Sequence, residues 1–362
     1  MKSLYVSRKK MPRVQKLCIL ALCVTFIFVL ADIPFLAEYM FARGITRWLT
    51  ALVGSITNFL PASLYECAAV LLIAGGVVLA AGLIVLLAKK SYARAARWLY
   101  RLAVAVLAVL LAFGLMYAPL YERKSAVSAL GLTEISADEE SVFLAAQYYI
   151  GELNALSEKL ERDESGNILA ACSFSELADK LNAEYNTLCD YFASYEVRPK
   201  EVGLSVAMSY LGITGIYIPF FAEANVNTDI PSYELPSTMA HEMAHAKGVS
   251  RENEANIVSY VLCIRSEDDY IRYSGLMNAA ARLLNALDED NFSVLYETLS
   301  PEIKKEFANA SAHYKKYEGI IDEISSFFND LFLKSNGVAG GTKSYGETVG
   351  SLVALYRELV GA

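Results

Sequence analysis

Three long apolar runs occupy the first third of the chain, and a different pattern follows them. Residues 17–36 carry one acid, Asp32, near their end. Residues 64–88 carry only Glu66, at their start, and residues 99–120 only Arg101, also near the start. Each run has about the twenty residues that a helix needs to cross a hydrocarbon core. One such run alone would also suit a buried core helix, but three in succession read as membrane spans. The first lacks the small-residue cleavage site of a signal peptide, and two further spans follow it.

Beyond residue 120 the apolar positions recur at helical spacing. Residues 136–162 open on Ser-Ala-Asp-Glu, an N-cap with acids in the first turn. Residues 173–194 open on Ser-Phe-Ser-Glu, a capping-box signature. Further helical patterns run from 270 to 333, Gly337 to Gly341 form a loop, and 345–360 read as a last helix. One stretch breaks the rhythm. Gly-Ile-Thr-Gly-Ile-Tyr-Ile-Pro-Phe-Phe, residues 212–221, is β-branched and aromatic, and a second short run, 222–227, follows. A short strand or hairpin is expected, with Pro219 suited to an edge strand. The next helix should start near Pro236 and Ser237, run to about Lys247 and stop at Gly248. The expected fold is mainly α. Residues 1–120 form a membrane anchor of three transmembrane helices, and 121–362 an α-rich (α+β) domain with a short edge strand or hairpin. There is no internal repeat and no low-complexity linker.

Composition agrees with membrane segments: 55% of the 362 residues are hydrophobic and the mean hydropathy is +0.33. Charge divides near residue 120. Residues 1–120 hold 13 Lys+Arg against 3 Asp+Glu, a net of +10; the remainder holds 19 against 37, a net of −18. Basic residues cluster before the first span (Lys2, Arg8, Lys9, Lys10, Arg13, Lys16) and between the second and third (Lys89, Lys90, Arg94, Arg97, Arg101). The intervening loop has only Arg43 and Arg47. The positive-inside rule then puts the N-terminus in the cytoplasm and the domain outside it. So acidic a domain has no basic footprint for nucleic acid. Cysteine usage says little: a Cys172–Cys189 bridge is conceivable, and free thiols suit the spacing as well.

The candidate chemistry rests on residues 241–245, His-Glu-Met-Ala-His, in a chain with three histidines. On a helix, positions i and i+4 share a face, so two imidazoles can take neighbouring corners of a zinc site. Glu242 beside them can activate a water there as general base. A catalytic zinc usually has a third protein ligand. His313 lies in Ser-Ala-His-Tyr-Lys-Lys, which reads as a solvated helix face. Nearer candidates lie in Ser250-Arg-Glu-Asn-Glu-Ala-Asn256. With Ser250 as cap and Gly248 reversing the chain, Glu252 has a route to the metal, and Glu254 is the alternative ligand. Asn256, one turn after Glu252, suits an orienting role toward a ligating histidine.

This arrangement resembles the gluzincin metallopeptidases, in which HExxH is followed by a glutamate helix, and the resemblance implies a zincin-like domain. Residues 251–256, Arg-Glu-Asn-Glu-Ala-Asn, are similar to the Glu-x-x-Ala-Asp element of membrane-bound HtpX and CAAX prenyl proteases. There the first Glu binds zinc and the Asp supports a histidine, which implies Glu252 as ligand and places Asn256 at the Asp position. Here Asn replaces Asp, and the gap from His245 to Glu252 is shorter. The Gly248 turn is similar to that of metzincins, but their third histidine would fall at Arg251, which cannot ligate. The whole layout also resembles an uncharacterised family of bacterial membrane-anchored proteins carrying His-Glu-x-Ala-His, a short Gly turn and Glu-Asn-Glu-Ala-Asn.

The expectation is therefore a membrane-anchored zinc metallopeptidase acting on a peptide or protein substrate, with the lipid bilayer as its other partner. Residues 212–221 would hold the substrate as an added strand. An electrophile should stabilise the oxyanion. Tyr345, flanked by glycine on a loop, is the first candidate, and Tyr217 and Tyr233 are alternatives. Two rival readings remain open. One is a non-catalytic zinc-binding receptor or scaffold, against which the intact Glu242 argues. The other is a transporter subunit, for which the spans have few polar residues beyond Asp32. Substrate identity and oligomeric state are not encoded in these patterns.

Overall fold

The computed structural model describes residues 12–133, 135–193, 195–319 and 346–361. Three of its helices are long and apolar enough to cross a membrane: α1 (Arg13–Ala31), α4 (Leu64–Ala88) and α5 (Tyr92–Met116), the last continuing through a 3₁₀ turn to Glu122. The first apolar run does not extend to Leu36 as a single helix. Asp32 caps α1, and Pro34 restarts the chain as the short α2 (Pro34–Leu36), since proline fixes φ and offers no N–H.

The segment after Pro34 is not a simple loop. A π-helix (Ala37–Ile45) runs into α3 (Thr46–Thr57), and this helical arm packs on the domain that follows the third span. Glu38 is buried beneath it, paired with Arg43 at 2.6 Å and with Arg123 at 3.5 Å. Arg47 donates to the carbonyls of Asp190 and Tyr191. At Gly54 the arm approaches so closely that an added Cβ would lie 2.7 Å from the Tyr195 ring. The start of α4 is tied down as well. Ser63 caps it and donates to Asn225. Glu223 accepts from the Leu64 and Tyr65 amides, and Glu66 from those of Gly203 and Leu204. If α4 and α5 both cross a bilayer, the arm and the domain share one side of it.

The domain is helical around one small sheet. α6 (Ala126–Ala129) leads to α7 (Glu139–Ser157), capped by Asp138 rather than Ser136, and α8 (Phe174–Asn186) starts on the capping box expected at Ser173 and Glu176. The strands β1 (Lys200–Glu201), β2 (Gly215–Ile218) and β3 (Glu223–Val226) form a sheet in the order β1-β3-β2, with α9 (Ser205–Tyr210) between the first two. β2 and β3 are antiparallel with Gly215 opposite Val226, so the expected hairpin is present and β2 is an edge strand. The parallel β1 is an addition, too short to signal itself by alternation.

The buried core forms where α10 (Leu235–Ala246) passes between the sheet and α11 (Glu252–Arg265), with α12 (Asp269–Leu284) against both helices. Met239, Ala240, Met243 and Ala244 of α10 are fully buried. α13 (Glu289–Thr298), α14 (Pro301–Lys315) and α15 (Gly346–Val360) complete the described domain. No disulfide joins Cys172 to Cys189; both are free thiols, and Cys189 donates to the Ala129 carbonyl. The expected loop at 337–341 and the end of the 270–333 pattern lie outside the described residues.

Candidate metal centre

α10 begins with Pro236 in its first turn and ends at Lys247, where Gly248 takes φ +104°. Apolar residues bury one face, and the other turns Thr238, His241 and His245 into a cleft. Gly248 reverses the chain, and Val249 donates back to the Ala244 carbonyl. α11 then starts at once, which brings Glu252 over the two histidines. The expected cap is absent: Arg251 holds the N-cap position without a side-chain capping bond, and the Ser250 hydroxyl is buried with no partner among the described residues.

Three ligand atoms converge here. His241 Nε2 lies 3.1 Å from His245 Nε2 and 3.1 Å from Glu252 Oε2, and His245 Nε2 lies 3.5 Å from Glu252 Oε1. Bonds of about 2.0–2.1 Å to a tetrahedral ion would put neighbouring ligand atoms about 3.3–3.4 Å apart. The two rings are nearly perpendicular, at 86°, and meet nitrogen to nitrogen. His245 Nδ1 is 2.7 Å from the Val249 carbonyl, which fixes the proton on Nδ1 and turns the Nε2 lone pair toward the cluster. Donor type, spacing and tautomer thus fit a divalent ion such as zinc, with His241, His245 and Glu252 as ligands.

The electrostatics follow from burial and proximity. Burial pushes the Glu242 carboxyl up to about 7, although the two histidines pull it down. Burial also works against charge on Glu252, but the adjacent imidazoles hold its carboxyl well below the usual carboxylate range. Burial opposes protonation of His245, and Glu252 overrides it, lifting the imidazole to about 9. Glu242 is buried, and its Oε2 has no hydrogen-bond partner among the described residues. Its other wall is Gly215 of β2, where an added Cβ would lie 2.5 Å from Glu242 Oε1 and 2.6 Å from its Cγ.

The remaining expected residues divide. Glu254 turns away from the cluster, bonded to Arg251 at 2.8 Å and accepting from the Ala126 amide. Asn256 lines the cleft, but the Val249 carbonyl holds His245 in its place. His313 is not on a solvated face; its Nε2 is 3.0 Å from the Asp229 carbonyl, away from the cluster. Tyr217 sits in the cleft, stacked on His245 at 26° with centroids 6.3 Å apart. Tyr233 packs on Phe307 in the core. Tyr345 lies outside the described residues. Sequence reasoning missed Tyr117, whose hydroxyl is 3.3 Å from His245 Nδ1, and Gly215, which an isolated glycine in a strand pattern could have flagged.

The cleft has a volume of about 950 Å³. It is bordered by β2, α10, α11 and α12, and also by residues of α1 and α5. No curated protein and no solved structure matches the chain. The sequence does match a family over residues 41–353, a stretch that takes in most of the helical arm, two of the spans and the His241–His245–Glu252 cluster. The chain belongs to the family described as "Protein of unknown function (DUF3810)".

Proposed function

We propose that this protein is a membrane-anchored, zinc-dependent metallopeptidase whose domain lies outside the cytoplasm. The observation that carries the reading is the convergence of His241, His245 and Glu252 at tetrahedral spacing beside a buried carboxylate with an unpartnered oxygen. A structural zinc site has no use for such a carboxylate, whereas a hydrolytic one needs it as base. A zinc ion held by the three ligands would supply Lewis acidity to the scissile carbonyl and lower the pKa of the attacking water. Glu242 takes the proton from that water and returns it to the leaving amine, a role suited to a carboxyl near 7. A cation held by His241, His245 and Glu252 would lower that value and favour the base form of Glu242. The free edge of β2, beside the cluster, offers backbone groups to an extended peptide. Of the two alternatives only Tyr217 borders the cleft, and its hydroxyl, bonded to Thr50 of the arm, would have to turn to act as the electrophile.

The test is made on the full chain in detergent or nanodiscs. One zinc per chain is expected, with binding clearly weakened in Glu252→Ala. Glu242→Gln should keep the zinc and lose about 10²–10⁴-fold in peptide hydrolysis. Zinc bound with no hydrolysis by either form would support the scaffold reading instead, and a folded parent without zinc would remove the basis of both.

A further inference from the structure

The cleft at the metal centre does not end within the domain. The same space reaches the domain-facing ends of two spans, where Phe28 of α1 and Val109, Leu110 and Phe113 of α5 line it. Phe28 lies three residues before the end of α1, about 5 Å along the helix, and Val109 seven before the end of α5, about 10 Å. This part of the cleft therefore lies alongside the apolar spans themselves. Val109 is 53% exposed and Leu110 39%, so neither is covered by a neighbouring helix. The other end differs: Glu234, Ser237 and Thr238 at the start of α10 and Asn278 and Arg282 of α12 line it. The cleft is thus apolar toward the spans and polar toward the domain, with the three ligand atoms and β2 between.

We infer that the substrate is a polypeptide with a membrane-embedded apolar segment, cleaved a few residues from where that segment leaves the bilayer. Its apolar flank lies against the packed pair α1 and α5, its backbone runs along β2, and its polar flank extends toward α12. This inference rests on the peptidase reading. A wholly polar peptide would bring its backbone and side chains against Phe28, Val109 and Leu110 with nothing there to accept their hydrogen bonds. An apolar flank loses nothing on entering, and burying one large side chain there is worth about tenfold or more in affinity.

The test is competition for the zinc-loaded full chain in nanodiscs, with a fluorescent hydroxamate as reporter and zinc counted in the same sample. Two peptide hydroxamates of equal length are compared, one extended by Leu-Phe-Val-Leu and one by Ser-Gly-Ser-Gly. The apolar extension should tighten binding about tenfold or more. Val109→Asn or Leu110→Asn, both at exposed positions, should remove most of that gain, so that the two competitors bind with similar affinity. Equal affinities, or a gain untouched by both substitutions, would overturn the inference while leaving the zinc site intact. So would a dodecyl-extended hydroxamate that binds tighter than the apolar peptide, because the groove would then belong to a lipid chain. A parent that holds no zinc would sink the peptidase reading itself.

Discussion

Gly215 and Glu242 show how a single missing Cβ shapes the site. Glu242 is held from behind by its helix and in front by a strand residue without a side chain, so Gly215→Ala must displace the carboxylate. Under the proposed chemistry that variant should keep its zinc, because none of the three ligands is touched, and lose about 10²-fold or more in hydrolysis. Unchanged hydrolysis with the zinc in place would show that Glu242 has room to relax. A second buried acid sets a pH dependence of stability. Burial raises the Glu223 carboxyl above its ordinary value, although two amides and Lys200 pull it down. Between those two values the folded chain holds a proton that the unfolded chain has released, so this group's contribution to stability declines as pH rises through that window. Glu223→Gln keeps an acceptor for Leu64 and Tyr65 and removes the slope. Its melting temperature relative to the parent should therefore rise from pH 4 to pH 7; parallel curves for the two proteins would rule out a proton at Glu223. His241, Glu242, His245 and Glu252 were legible in the sequence because helical spacing and one glycine turn suffice to bring them together. The Val249 carbonyl was not, and the isolated glycine at 215 marks a position without its role, since each acts through a contact that only the tertiary fold creates. Ser250 misled for the same reason: it has the composition of a cap, but Arg251 takes the position.

Among the elements, the turn from α10 into α11 carries most of the geometry. Gly248 adopts a left-handed φ of +104°, and an added Cβ would lie 2.9 Å from the Arg123 guanidinium. Arg123 itself donates to the Gly248 carbonyl and stacks over Tyr191 at 3.5 Å. Gly248→Ala should cost about 1–3 kcal/mol, combining backbone strain with displacement of that arginine. Under the proposed chemistry it should also weaken zinc binding, because Glu252 is placed by this turn; thermal unfolding and zinc titration of the variant check both effects. A variant as stable and as tight for zinc as the parent would mean that the turn tolerates a side chain. The capping box at Ser173, the α10 boundaries and the β2–β3 hairpin were readable from local chemistry. The π-helix and α3 were not. Their partners lie from 69 to 164 positions away in sequence, so the periodicity had no visible partner.

For the whole molecule, the acid at position 38 joins the arm to the domain. Glu38 is 2% exposed, and Arg123, its partner from beyond the third span, 3%. Glu38→Ala leaves a buried guanidinium without its counter-charge and should destabilise the full chain by about 3–5 kcal/mol. A shift below about 1 kcal/mol in detergent unfolding would show that the arm is only loosely attached. The charge division at residue 120 made a cut between anchor and domain look natural, but the structure joins them. Lys200 donates to the Thr57 and Leu60 carbonyls, and Thr57 to that of Phe221. The chain meets the domain at two separated places, the start of α4 and the end of α5. A body on a single stalk sweeps a range of heights above a surface; one pinned at two points keeps its stand-off. If the cleft cleaves peptides, the bond it reaches is set by that fixed height. The enzyme would then measure distance along a chain from the bilayer, as a gauge of length rather than a reader of sequence.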